Sequence, residues 1–214
     1  MIKMLFSLLF LPTMLFAQVD ADRVLQQSIQ YHDPENQWAS LDATFYFTET
    51  RPEGDDRKAT IKIDNQKGNM TINRNGEEVY EITGEQAKVL KGDKEEARGL
   101  MLRNYYLYLW GLPMKLMDES TPEITFSGKA TVNDQPVNVL RVAYESDTWY
   151  FSFDETTGRM LEYKFYKDEE AGKGELIKLA GEIEYDGIKI PKERSWYVLP
   201  KMKYLGTDIL DRVE

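Results

Sequence analysis

The single histidine, His32, stands in Tyr31-His32-Asp33-Pro34. A histidine beside a carboxylate is the pairing from which a general base or a metal site is built. One imidazole makes a poor zinc site, because zinc takes three or four nitrogen or sulfur ligands, and the chain has no cysteine. The first reading is therefore structural, with His32 and Asp33 closing a helix and ordering its exit loop. Glu182 and Glu184 are of the right type for a pair of glycosidase carboxylates, but they alternate with Ile183 and Tyr185, which makes them the solvated side of a strand. Ser195 has no Gly-x-Ser-x-Gly elbow and falls within a strand pattern, against a Ser-His-Asp hydrolase. Segments 64–68 and 154–158 resemble pieces of calcium loops but lack the alternating ligands and closing glutamate of an EF-hand, and read as turns. No glycine-rich loop opens a helix to cradle phosphate. No catalytic residue, metal site or cofactor is expected, and the chain is read as not an enzyme.

What remains is aromatic: Phe45, Phe47, Tyr105, Tyr108, Trp110, Trp149, Phe151, Phe153, Tyr163 and Phe165. Rows of rings at strand spacing are what a sheet packed on helices needs for its core. The sharper alternative is that sheet and helices do not close completely and leave a cavity for an acyl chain or similar ligand. Its candidate lining is Phe45, Phe47, Tyr105, Tyr108, Trp110, Trp149, Phe151 and Tyr163.

The elements that must position these rings begin after a leader. Lys3, the apolar run 4–16 and Ala17 have the form of an export signal. The run is shorter than the about 20 apolar residues of a membrane span. Residues 1–17 are expected to be cleaved, leaving 18–214 as one domain with no membrane anchor. Without cysteine there is neither a lipid-acceptor residue nor a disulfide framework, so the expected product is a soluble periplasmic protein that is not a lipoprotein. Loss of Lys3 leaves 26 basic against 37 acidic residues and takes the formal charge from −10 to −11. That surface repels nucleic acid and anionic bilayers.

Ala21, Val24, Leu25, Ser28 and Ile29 form a helical stripe over 20–31, with Asp20 placed to cap it and Asp33-Pro34 to stop it. Strand alternation follows over 41–50, 59–64, 69–74, 77–83 and 86–90. A second helix spans 94–110 and ends at Gly111 and Pro113, its wide apolar arc demanding cover by the sheet. Strands return over 123–129, 136–144, 148–154, 159–167, 175–185, 188–199 and 204–213. Asn75-Gly76 and Asp186-Gly187 read as two-residue hairpin turns. They pair Arg74 with Glu77, Ile72 with Val79, Tyr185 with Ile188 and Ile183 with Ile190. A five-residue loop over 154–158 pairs Phe151 with Leu161 and Trp149 with Tyr163. Pro191 cannot donate to a ladder and marks a bulge or an edge.

An exported helix followed directly by the strand pattern of 38–47, then hairpins, a helical insert and more hairpins, resembles the outer-membrane lipoprotein carrier superfamily. More specifically, Tyr31-His32-Asp33-Pro34, Gly111-Leu112-Pro113-Met114-Lys115-Leu116 and Asp186-Gly187-Ile188-Lys189-Ile190-Pro191 are similar to an uncharacterised family of exported proteins grouped with that fold. The resemblance implies an α+β fold: a strongly curved antiparallel sheet, an incomplete β-barrel wrapped around helices. Its hydrophobic concavity would take lipid or a lipid-modified peptide. The expected function is a non-enzymatic periplasmic binding protein for a hydrophobic ligand. The alternative is a cell-envelope interaction module without a small-molecule ligand, docking an envelope protein through strand edges or the 105–110 region.

Overall fold

The computed structural model describes residues 13–214, with side-chain surroundings from Asp20 onward. The expected export signal lies outside the described residues, except for the backbone of 13–17. Helix α1, Thr13–His32, starts earlier than expected, and Asp20 is a residue within the helix rather than its cap. Its end is as read. The Asp33 N–H closes the last turn on the Ile29 carbonyl (2.7 Å), and the Asp33 carboxylate then accepts from the Gln37 and Trp38 N–H groups at 2.7 and 2.9 Å. That ties a short 3-10 turn, Trp38–Ser40, to the helix end.

Twelve strands form one antiparallel sheet. The first five are β1 Asp42–Thr50, β2 Arg57–Asp64, β3 Asn69–Arg74, β4 Glu78–Thr83 and β5 Gln86–Lys91. The remaining seven are β6 Ile124–Val132, β7 Gln135–Ala143, β8 Thr148–Asp154, β9 Met160–Asp168, β10 Lys173–Tyr185, β11 Ile188–Leu199 and β12 Lys203–Val213. Their order is β5-β4-β3-β2-β1-β12-β11-β10-β9-β8-β7-β6. Every pairing joins sequence neighbours except β1 with β12, which welds two meandering wings at the middle. The sheet is curved and unclosed, with β5 and β6 as its free edges.

Two registers differ from the expected ones. Arg74 lies opposite Glu78 and Ile72 opposite Tyr80. Asn75 and Gly76 both take positive φ, but Glu77 joins the loop, its N–H bonded to the Arg74 carbonyl. Phe151 meets Tyr163 and Trp149 meets Phe165, with an irregularity after Ser152. This two-residue slip keeps each ring on its face, because side chains alternate with period two. The Asp186-Gly187 hairpin pairs Tyr185 with Ile188 and Ile183 with Ile190 as expected. At Pro191 the pairing toward β12 has not yet begun; it starts at Glu193.

The second helical segment opens as α2, Glu96–Arg103, and widens into a π-helical turn over Asn104–Tyr108. A 3-10 turn, Met114–Met117, follows. Leu102, Tyr106 and Trp110 pack under the β1–β4 wing with Phe45, Phe47, Ile61 and Ile72. Leu109, Leu112 and Leu116 pack under β7–β9 together with Ala21, Val24 and Leu25 of α1. The helices thus lie beneath the two wings, and the 105–112 stretch bridges two cores.

Candidate functional site

On β1, the inward row Ala43-Phe45-Phe47 is continued by Glu49. The same happens on neighbouring strands: Arg57 begins the row of Ala59, Ile61 and Ile63, Arg74 ends that of Met70 and Ile72, and Glu78 begins that of Tyr80 and Ile82. On β12, Asp208 precedes Leu210 in phase. The register sets these ends side by side, with Arg194 opposite Asp208, Asp208 opposite Glu49, Glu49 opposite Arg57, and Arg74 opposite Glu78. A band of charge therefore crosses the sheet from β11 to β4 on the face that carries the helices.

Glu49, 1% exposed, is the hub. One carboxylate oxygen takes the Tyr106 hydroxyl, while the other takes Arg57 Nε and Arg74 Nη2, the latter at 3.1 Å. Burial alone would raise this carboxyl, but the Tyr106 hydrogen bond and the Arg74 and Arg57 charges outweigh it and hold it below its usual value. Asp208 accepts from the Tyr105 hydroxyl, from Trp196 Nε1 at 2.6 Å and from Arg51 Nη1 at 3.2 Å. Its pKa is raised, by burial first and by the nearby Glu49 charge, despite the Tyr105 bond. Consecutive tyrosines thus serve adjacent carboxylates, and it is the π-helical turn that carries both. Such turns recur at functional positions. Both hydroxyls are held well above their ordinary pKa, chiefly by burial.

Arg194 is fully buried. It donates to the Pro191 and Leu109 carbonyls at 2.9 and 3.1 Å and lies 3.6 Å over the Trp110 ring. Burial lowers its pKa. Sheet and helix are joined here through a cation stacked on an indole.

Beside this band a groove of about 1010 Å³ runs between the helical segment and the sheet. Three of the eight expected lining residues border it: Tyr105, Tyr108 and Trp149. Tyr105 stacks on Trp196 (5.7 Å between centroids), Trp149 stacks on Phe165 (4.7 Å), and Tyr108 meets Trp149 edge-on (6.3 Å). The other five, Phe45, Phe47, Trp110, Phe151 and Tyr163, are at most 2% exposed and fill the core. Burial of Trp110 also removes it as an exposed docking contact. Sequence reasoning named Phe165 among the rings but not in the lining, and it missed Trp196 and the charge band, although each charged member of the band is visible as a residue in phase with an apolar row.

His32 is buried and bonded to two backbone groups. A carbonyl only accepts, so Nδ1 donates to the Lys189 carbonyl (2.6 Å), and Nε2 accepts the Met160 N–H (3.1 Å). The neutral ring staples the end of α1 to β11 and β9, and burial lowers its pKa to about 4. Ser195 bonds the Thr207 hydroxyl instead. Glu182 holds the Tyr31 hydroxyl (3.0 Å) and Arg159, while Glu184 is exposed. Asp64 and Asp154 bind N–H groups of their own turns. Among the described residues no cluster of three His, Cys, Asp or Glu could hold a metal ion.

An open antiparallel sheet carrying helices on one face defines the class of protein. A LolA superfamily protein from Nitrosomonas europaea superposes with a TM-score of 0.59 at 9% identity, covering 91% of this chain and 92% of that one. A putative outer membrane lipoprotein-sorting protein domain from Vibrio parahaemolyticus gives 0.55 at 11% identity, covering 92% of each. The fold is LolA-like. Within that class, residues 3–213 match the family of unknown function DUF6503, and the chain belongs to it. No curated protein matches the chain.

Proposed function

We propose that this protein binds a hydrophobic ligand, such as a lipid, an acyl chain or a lipidated peptide, in the groove between the 96–110 segment and the sheet. The observation that carries the reading is the groove itself. Its volume of about 1010 Å³ lies at the upper end of ligand-pocket sizes, and Tyr105, Tyr108, Trp149, Phe165 and Trp196 offer aromatic faces to it. The LolA-like fold and the similarity to a putative lipoprotein-sorting domain support the same class of cargo, and the leader expected from the sequence supports a periplasmic setting. Among the described residues no helix is long and apolar enough to cross a membrane. Around the groove Tyr108 bonds Tyr144, Trp149 bonds Asp147, Arg103 pairs with Glu85 and Lys115 with Asp118, and the proposed role is binding and not catalysis.

Native mass spectrometry of gently purified protein, with organic extraction of what it carries, tests the proposal. Bound mass that extracts as lipid, or uptake of added fatty acid that quenches tryptophan fluorescence through Trp149 and Trp196, is the expected result. A clean apo mass with no uptake of fatty acids or acylated peptides would overturn it.

A further inference from the structure

The chain carries a formal charge of −10, yet four arginines gather at one end of the groove. That end lies under the β1–β4 wing. Arg51, Arg57, Arg74 and Arg98 all border the groove and share three carboxylates, Glu49, Glu78 and Asp208. Those carboxylates are further occupied by hydroxyls from Tyr106, Tyr80 and Tyr105. Four guanidiniums offer more N–H groups than three such acceptors can satisfy. One of the surplus donors is visible: Arg74 is 5% exposed, and its buried Nε has no hydrogen-bond partner. A buried guanidinium with one donor left unpaired, on the wall of a groove that also carries aromatic faces, marks a place for an anion.

We infer that this arginine group is an oxyanion subsite and, resting on the hydrophobic-ligand reading above, that the ligand is an anionic amphiphile. Its carboxylate or phosphate head seats against Arg57, Arg74 and Arg98, and its tail lies toward Trp196, Phe165 and Trp149. Strand order supports this polarity. Arg51, Arg57 and Arg74 stand on or beside β1–β3, and Arg98 stands on α2 against β4 and β5, whereas the rings stand on β11, β9 and β8. From Arg57 on β2 to Phe165 on β9 there are five strand spacings, about 24 Å along the sheet. Planar guanidiniums suit both carboxylate and phosphate, which they bind bidentately, so the two head groups are treated as one chemistry. A neutral amphiphile of equal length would fill the apolar stretch and leave the surplus donors unanswered.

The test compares hexadecanol, palmitate, hexadecyl phosphate and inorganic phosphate by titration calorimetry and tryptophan fluorescence. The proteins are wild type and a double variant, Arg57→Gln with Arg98→Gln, whose changed side chains are about one-third exposed in the native protein. Circular dichroism and denaturation confirm that the variant folds. In wild type, palmitate and hexadecyl phosphate are expected to bind at least tenfold more tightly than hexadecanol. In the variant that ratio should fall toward one while hexadecanol affinity stays the same. Equal affinities in wild type, or an unchanged ratio in the variant, would overturn the inference and leave hydrophobic binding standing. Inorganic phosphate binding as tightly as hexadecyl phosphate would assign the subsite to a free anion and overturn the amphiphile. If no long-chain compound binds but inorganic phosphate does, the hydrophobic-ligand reading fails and the oxyanion subsite survives without it.

Discussion

Acidification should loosen this protein through one ring. His32 is neutral in the fold, donating from Nδ1 to the Lys189 carbonyl and accepting the Met160 N–H at Nε2. A proton on Nε2 would face that N–H with no acceptor. The folded pKa is lowered to about 4 from an ordinary 6.5, so the unfolded chain binds a proton in a window where the folded protein does not. The contribution is therefore fully present above pH 6.5 and is lost as the pH falls toward 4. Each unit of difference is worth about 1.4 kcal/mol, so the loss is about 2.5 kcal/mol by pH 4.5 and about 3 kcal/mol at pH 4. Carboxylates titrate over the same range, and a second protein removes their effect. Urea unfolding of wild type and His32→Gln is measured from pH 7.5 to 4 at constant ionic strength. The variant is the less stable of the two at neutral pH, and its deficit should shrink by about 2.5 kcal/mol between pH 7.5 and 4.5. A gap that stays constant across that range would refute the staple as the source of acid sensitivity.

Trp110→Ala removes an indole packed on Phe47 (4.5 Å) and beneath Arg194. It should cost about 3–5 kcal/mol in denaturant unfolding, whereas Trp149→Ala, on the groove wall, should cost less and reduce any ligand-induced fluorescence change to the part carried by Trp196. Glu49→Gln keeps the shape of the hub but leaves Arg74 buried with a weakened partner. A loss of about 3 kcal/mol is expected in the same assay, with a loss under 1 kcal/mol arguing that the band is not a stability element. Gly174→Ala would place a methyl 1.8 Å from the Phe165 carbonyl oxygen, against backbone that cannot swing aside. It should lower thermal stability by about 2 kcal/mol or more, and an unshifted melting curve would contradict the close approach of β9 and β10.

Periodicity made most of the fold readable. Strands 69–74, 148–154 and 188–199 emerge with the bounds read from alternation, because each is a run of inward apolar and outward polar residues closed by turn residues. Registers were less legible. Asn75-Gly76 and Asp186-Gly187 look alike, yet the first loop recruits a third residue, since Glu78 rather than Glu77 continues the phase of Tyr80 and Ile82 and meets Arg74. The candidate site was legible in part. Tyr105, Tyr108 and Trp149 face the groove, whereas Phe151 and Tyr163, from the same kind of row, are buried in the core cluster that includes Leu109 and the apolar stripe of α1. Only the placement of the helices decides which rings of a greasy face remain open. The charge band is not legible in the sequence, because Glu49, Arg74 and Asp208 each stand singly along the chain; register is what gathers them.

The meeting of β1 with β12 has a meaning for the order of synthesis. Glu214 exchanges both backbone hydrogen bonds with Thr44, and β12 fills the space between β1 and β11. While the chain is being made, each wing can zip up along its own hairpins, but the flank of β1 stays empty until β12 arrives. Loss of β12, Lys203–Val213, would therefore remove the centre of the sheet rather than trim its rim, and would leave β1 and β11 without the strand that joins them.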